Sequence, residues 1–263
     1  MEFVRKHITL LGILLYMMVT LGFVSGKMND VLCENVHVVI VDSARQKFVQ
    51  PQEVVSLLKT MEMKLWGYSV FQIESHQAER TVLNNMPMIA KAIAYADIKG
   101  NFHLDLEQRK PIARIVTKTG HSYYLGEDGH LLPLSPNYTA RVPVVSGDIY
   151  QKLPGNRAIT IDTLVLHQGA SNTMLDETFR LLSYIYNDSL LRRMVEQVYV
   201  NKNEFEIIPK VGTHVIEFGD ISQLEHKFIK LKVIYYKGFS NLGWNKYSRV
   251  NLKYKNQVVC TKR

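Results

Sequence analysis

Two strings in the chain could do covalent chemistry if folding brought them together. Ser56 and Lys59 have the spacing of a serine nucleophile and its lysine, and Lys118, Thr119 and Gly120 spell the KTG element that accompanies such pairs in acyl-transfer enzymes. That chemistry needs nucleophile, base and oxyanion donors within hydrogen-bond reach on a sizeable scaffold. Here the strings fall in two separate small modules, with residues 60–117 between them and no SxN element in that interval. Ser56 and Lys59 therefore read as the solvent side of a helix, and Thr119 with Gly120 as a hairpin turn. The nine histidines supply no HExxH pair or other metal spacing, and no GxSxG, Walker or GxGxxG string occurs. His103 and Asp105 share one strand face, while His121 and His130 flank a hairpin, so all four read as exposed polar positions. No catalytic, metal or cofactor residue is assigned, and the expectation is a protein that binds rather than catalyses, with no cofactor and no small-molecule substrate.

The bulk properties agree with a binding role. At 46% hydrophobic and 21% charged the composition is that of an ordinary folded protein, which argues against disorder. Net charge is +8, yet Lys and Arg run from end to end without a dense stripe, so nucleic acid is not expected as a partner; an anionic membrane surface would suit the charge. Two cysteines, Cys33 and Cys260, are too few for a disulfide scaffold or a metal site, and whether they pair is left open.

Positioning begins with an apolar run. Residues 8–24 carry no charge and cover about 25 Å as a helix, close to the hydrocarbon core and extendable through Ser25 and Gly26. Arg5 and Lys6 sit against one end, so the positive-inside rule keeps the short N-terminus in the cytoplasm and exports the body. A cleavable signal peptide with a site near Val24, Ser25 and Gly26 is the rival; the apolar run exceeds the usual 7 to 15 residues of such signals, which favours an anchor.

The exported body divides by texture. Residues 36–41 read as a strand, Pro51, Glu53, Val54, Leu57, Leu58 and Met61 as a helix, 69–74 as a strand by alternation, and Ala78, Val82 and Leu83 as a second helix ended by Met86 and Pro87. Strands at 89–95 and 102–107, joined by a Lys99-Gly100-Asn101 turn, complete a module with helices on one face of a short sheet. Beyond Glu107 the texture becomes a β meander at 112–117, 122–125 and 131–132. A loop-rich stretch marked by Pro133, Pro136, Pro143 and Pro154 follows, and then a helix at 173–186. Strands at 196–201, 204–209 and 214–218 precede a helix at 222–236 with Leu224, Phe228, Leu231 and Tyr235 on one stripe. Strands at 248–255 and 257–261 follow around Asn256. Three tripeptides headed by Asp42, Asp162 and Asp188 resemble acceptor sites for periplasmic O-glycosylation at Ser43, Thr163 and Ser189.

This order of parts, with Gln108-Arg109-Lys110-Pro111-Ile112-Ala113-Arg114, a hairpin centred on Gly129 and the closing Tyr247-Ser248-Arg249-Val250-Asn251-Leu252-Lys253-Tyr254, resembles the bacterial cell-division family FtsQ/DivIB over residues 1–260. The resemblance implies an α+β chain organised as cytoplasmic N-terminus 1–7, transmembrane helix 8–26, linker 27–34, POTRA-like domain 35–107 and β domain 108–263. It implies a non-enzymatic divisome scaffold in the inner membrane at the septum, body in the periplasm, that links early and late division proteins and binds FtsB and FtsL. The POTRA-like domain would dock other divisome proteins. By the same resemblance the last strands form an exposed edge to which FtsB adds a strand, and the family's basic and aromatic pair falls on Lys253 and Tyr254. The family's contact region can continue with a further Trp, whereas here residues 257–263 follow and Trp244 precedes the strand. The competing readings are another POTRA-bearing envelope assembly factor and a secreted enzyme whose site has no linear motif; the latter requires a deep pocket with perturbed ionisable groups.

Overall fold

A computed structural model describes residues 2–29, 31–41, 46–155, 157–168, 174–239 and 243–263; for 2–29 the side chains described are those of residues 7 and 10–22, and 165–168 are described by backbone alone. Cα proximity divides the chain into two compact units, Met1–Gln108 and Arg109–Arg263. Asp42, Ser43 and Ala44, the first expected glycosylation string, lie outside the described residues, as do the side chains of Arg5 and Lys6.

The first unit opens with α1 (Glu2–Asn29). Its described apolar side chains, from Leu10 to Leu21, are exposed all round the helix rather than on one face. Among the described residues no helix is long and apolar enough to cross a membrane, so the span expected at 8–26 is not supported there; the side chains of residues 8, 9 and 23–26 of that span lie outside the described ones. Then come β1 (Asn35–Ile40), α2 (Pro51–Thr60), α3 (Ser75–Asn85), β2 (Ile89–Ala96) and β3 (Asn101–Gln108), with sheet order β1-β3-β2. β1 runs parallel to β3, which demands a crossover, and α2 and α3 supply it. β3 shows why these residues make a strand: Phe102, Leu104 and Leu106 are fully buried on the helix side. Val54 and Leu58 of α2 and Ala78 and Val82 of α3 are likewise fully buried. On the other face His103 stacks between His37 and Tyr95, at 5.3 and 5.0 Å between centroids. In the β2–β3 turn Gly100 takes φ +87°, and the Asp97 carboxylate accepts from Asn101 Nδ2 at 2.8 Å and from the backbone N–H groups of Lys99 and Asn101. Those bonds hold Asp97 well below the usual carboxylate range.

One expectation fails here. Residues 69–74 alternate as a strand would, but they form turns, with a single bridge from Ser69 to Leu32. The cause is local pairing: Cys33 N donates to Tyr68 O, Gly67 N to Cys33 O and Val70 N to Val31 O, which ties the segment to the start of the unit and leaves no ladder to extend. At the far end of β3 the buried Gln108 side chain accepts from Phe48 N and Val49 N, both at 3.1 Å, and donates to Gln46 O at 2.8 Å.

The second unit is built on one ten-stranded sheet. Its elements are β4 (Pro111–Val116), β5 (Ser122–Gly126), β6 (His130–Leu132), β7 (Val144–Gly147), β8 (Ile159–Thr160), α4 (Ile161–Gln168), α5 (Met174–Asn187), α6 (Ser189–Met194), β9 (Val195–Asn201), β10 (Glu204–Pro209), β11 (Val215–Gly219), α7 (Leu224–Val233), β12 (Tyr247–Asn251) and β13 (Val259–Lys262). α7 continues without a break as a π-helical segment, Ile234–Phe239. Strand order is β13-β12-β11-β10-β9-β7-β4-β5-β6-β8. The four-residue β7 falls in the stretch read as proline-rich loop, yet it pairs in parallel with both β4 and β9 and so joins the meander to the C-terminal half. Gly147 makes that possible: at φ +109° a Cβ there would stand 2.0 Å from Val200 O. Leu181, Leu182 and Ile185 of α5, with Phe228 and Leu231 of α7, are buried in the same apolar cluster as inward residues of the sheet such as Val198, Ile207 and Ile216.

A candidate partner-binding edge

The C-terminal corner of the sheet is assembled by a β11-α7-β12 crossover. β11 and β12 pair in parallel, Ile216 opposite Val250, and β13 folds back antiparallel on β12. The strand expected at 248–255 stops early. Asn251 Oδ1 accepts the Lys253 N–H at 2.9 Å, an Asx turn that offers the backbone an alternative to the ladder. Lys253 and Tyr254 therefore stand in the β12–β13 turn and not in the strand. β12 is also flanked on both sides, by β11 and β13, so the terminal edge of the sheet belongs to β13. Val259, Thr261 and Lys262 of that strand are exposed and Cys260 is half-buried. Both cysteines are free thiols.

The turn is held from three sides. Lys253 Nζ donates to Glu204 Oε2 at 2.9 Å, which raises its ammonium above the usual lysine range, and its stem crosses Gly219, where a Cβ would come 2.8 Å from Lys253 Cγ. Glu217 accepts from Arg249 Nη1 at 2.5 Å and Asn251 Nδ2 at 2.6 Å, tying β12 to β11. Lys230 of α7 donates to Leu252 O at 2.9 Å and also to Tyr254 O, and burial, with Lys227 second, lowers its pKa. With its carbonyl fixed in this way, Tyr254 presents a ring that is 49% exposed.

Beside the turn lies a groove of about 430 Å³ between the α7 face and residues 256–258, floored by Ile229, Val233, Ile234 and Val258 and rimmed by Lys230 and Lys237. Ile229 and Val233 are 54% and 51% exposed although they are large and apolar. The segment that forms these walls is rich in cations. Residues 224–263 hold ten Lys or Arg and a single acid, Glu225, whereas the remaining residues hold 22 and 23, so the net positive charge of the chain sits in its last forty residues. Lys and Arg are therefore about two and a half times denser here than in the rest of the chain, against the even spread expected, and acids are scarcer; both departures were countable from the sequence.

Of the acyl-transfer strings, Ser56 and Lys59 are exposed on α2, and Thr119 and Gly120 turn between β4 and β5. Among the described residues no group of three or more His, Cys, Asp or Glu could hold a metal ion. Shifted ionisable groups have structural causes. Lys118, raised by its hydrogen bond to Asp148, forms a surface pair with it, and the buried Tyr123 donates to Gln151 O. Thr163 and Ser189, the remaining expected glycosylation residues, are exposed.

The stretch 110–261 matches the family model described as FtsQ/DivIB, C-terminal related. The chain belongs to the FtsQ/DivIB family. Residues 31–107 match the model of the POTRA-like domain, so this family member is a mixed α+β chain with a POTRA-like domain followed by a β-rich one. No curated protein matches it. FtsQ/DivIB membership carries a role among cell-division proteins, and the family string 108–114 acquires a physical meaning: Gln108 completes the hydrogen bonding of the first unit, while Arg109 begins the second by pairing with Asp128.

Proposed function

We propose that this chain is a non-enzymatic divisome scaffold of the inner membrane, anchored by α1 with Arg5 and Lys6 on the cytoplasmic side and its body in the periplasm at the septum. Its β13 edge takes up a strand of FtsB, with FtsL as a companion, and its POTRA-like domain docks other division proteins. The observation that carries the reading is the terminal, solvent-exposed β13 beside Tyr254. A strand edge offers a row of N–H and C=O groups, and pockets alongside select side chains. The adjacent groove accepts an apolar anchor, and the surplus of cations favours an acidic partner segment. Anchoring is supported by the charge-free run at 8–24 and by apolar side chains exposed all round α1, which a bilayer would cover.

In a pull-down with full-length chain, Tyr254→Ala together with Lys253→Glu is expected to weaken FtsB capture roughly thirtyfold, the size of one interface hot spot, without changing the circular dichroism of the protein. Unchanged capture would remove the turn from the binding surface. A fluorescent fusion is expected at the septum; a diffuse envelope signal would contradict the scaffold role.

A further inference from the structure

His214 precedes β11 and is 2% exposed. Its Nε2 lies 2.6 Å from Tyr235 Oη, while Nδ1 is buried without any hydrogen-bond partner. The ring meets Tyr235 and Phe239 of the π-helical segment edge-on at 5.6 and 5.0 Å. Those two rings meet Trp244 at 5.1 and 5.6 Å, and Phe239 stacks on Tyr247, the first residue of β12, at 5.7 Å. Gly212 closes the remaining side, since a Cβ on it would stand 2.7 Å from Nδ1. One residue along, Thr213 O accepts from Arg263 Nη2 at 3.0 Å, and Arg263 N donates to Lys246 O at 3.2 Å. The imidazole thus sits where the start of β11, the π-helical segment, β12 and the residue after β13 converge.

The neutral ring suits this place, because one nitrogen is satisfied by Tyr235 and the other is an uncharged atom packed against Gly212. A proton on the second nitrogen would place a charge and a donor among aromatic rings with no acceptor. Among the described residues the titratable side chains facing the site are Tyr235 from the π-helical segment, Tyr247 from β12 behind Phe239, and the Arg263 guanidinium on the neighbouring carbonyl; Lys246 contributes a carbonyl. None is a carboxylate, and burial alone lowers the affinity of His214 for a proton. A histidine whose folded pKa is depressed contributes stability that is complete above its unfolded value of about 6.5 and is lost as pH falls below it.

We propose that His214 is a proton-operated release for the β12–β13 edge: the neutral imidazole keeps the aromatic cluster closed and the edge in register, and proton uptake opens the cluster and frees both strands. As regulation of partner capture this rests on the edge-binding reading above, whereas the opening itself is read without a partner.

The chain has two tryptophans, so full-length protein carrying Trp66→Phe reports from Trp244 alone. Between about pH 8 and about pH 4.5 its emission is expected to shift to the red below about pH 6.5. Amides of residues 259–262 are expected to exchange at least about tenfold faster across that transition while those of β7 and β9 stay protected. His214→Phe with Tyr235→Phe, which keeps both rings and leaves no orphaned hydroxyl, is expected to abolish the transition. Should that variant not fold, the His214 ring signal in the parent, followed by NMR, is expected to titrate together with the Trp244 shift. A transition that survives in the double variant, no transition in the parent, or loss of protection across the whole second unit at once would each overturn the release. Failure to capture a division partner at neutral pH, with the transition intact, would instead remove the edge as a docking site and leave the proton-operated opening standing.

Discussion

The two sheets end differently. On the three-stranded sheet, the outward N–H of Ala94 in β2 is taken by Glu79 Oε1 of α3 at 2.8 Å, so the unit closes that margin with its own helix. On the ten-stranded sheet, β13 has exposed side chains and stands last in the strand order. A bare edge is a hazard that folded proteins ordinarily cover. The contrast is between a margin where a helix carboxylate takes an outward N–H and a margin whose last strand carries exposed side chains.

The contrast is broken most severely from inside the first unit. Gln108→Ala would leave the Phe48 and Val49 N–H groups buried and unsatisfied, at a cost of about 2–4 kcal/mol measured by chemical denaturation. A loss below about 1 kcal/mol would show that water replaces the amide. Glu79→Ala tests the closed margin directly. The Ala94 amide is expected to exchange roughly tenfold faster, with no comparable change on β13. Acid should act in the same direction: the Ala94 N–H and then His76 hold the Glu79 carboxyl below its ordinary value, so the protection is complete above that value and lost as pH falls through the lowered one. The smallest effect belongs to Lys253→Gln, which breaks an exposed pair with Glu204. Stability is expected to change by under about 1 kcal/mol, so any larger loss of FtsB capture would report on the interface and not on folding.

Much of this was legible in residue patterns, but for unequal reasons. The alternation of Phe102, Leu104 and Leu106 marks β3 because one face is wholly buried, and the half-buried Leu224 with the buried Phe228, Leu231 and Tyr235 traces the inward face of α7 and its continuation. β7 could not be read: four residues ending in Ser146 and Gly147 are too short for a period, and its partners β4 and β9 are supplied by distant parts of the chain. The alternation at 69–74 misled because period two marks a strand only where another strand is available to pair. At the candidate edge, Lys253 and Tyr254 came from family likeness, and their displacement into a turn depends on the Asn251 side chain competing for a backbone N–H. Ile229 and Val233 escaped notice since exposed apolar residues on the outer side of a helix break the rule by which a helix is recognised.

The parallel placement of β7 also sets a tempo. Neither of its ladders can zip from a tight hairpin; each must wait until residues 117–143 or 148–194 have been looped out and their ends brought together. Searches over such separations are slow compared with turn-driven pairing. The meander from β4 to β6 and the hairpin of β9 and β10 can therefore collapse early as independent nuclei, and the rate at which the second unit matures is governed by how quickly four residues in the middle suture them.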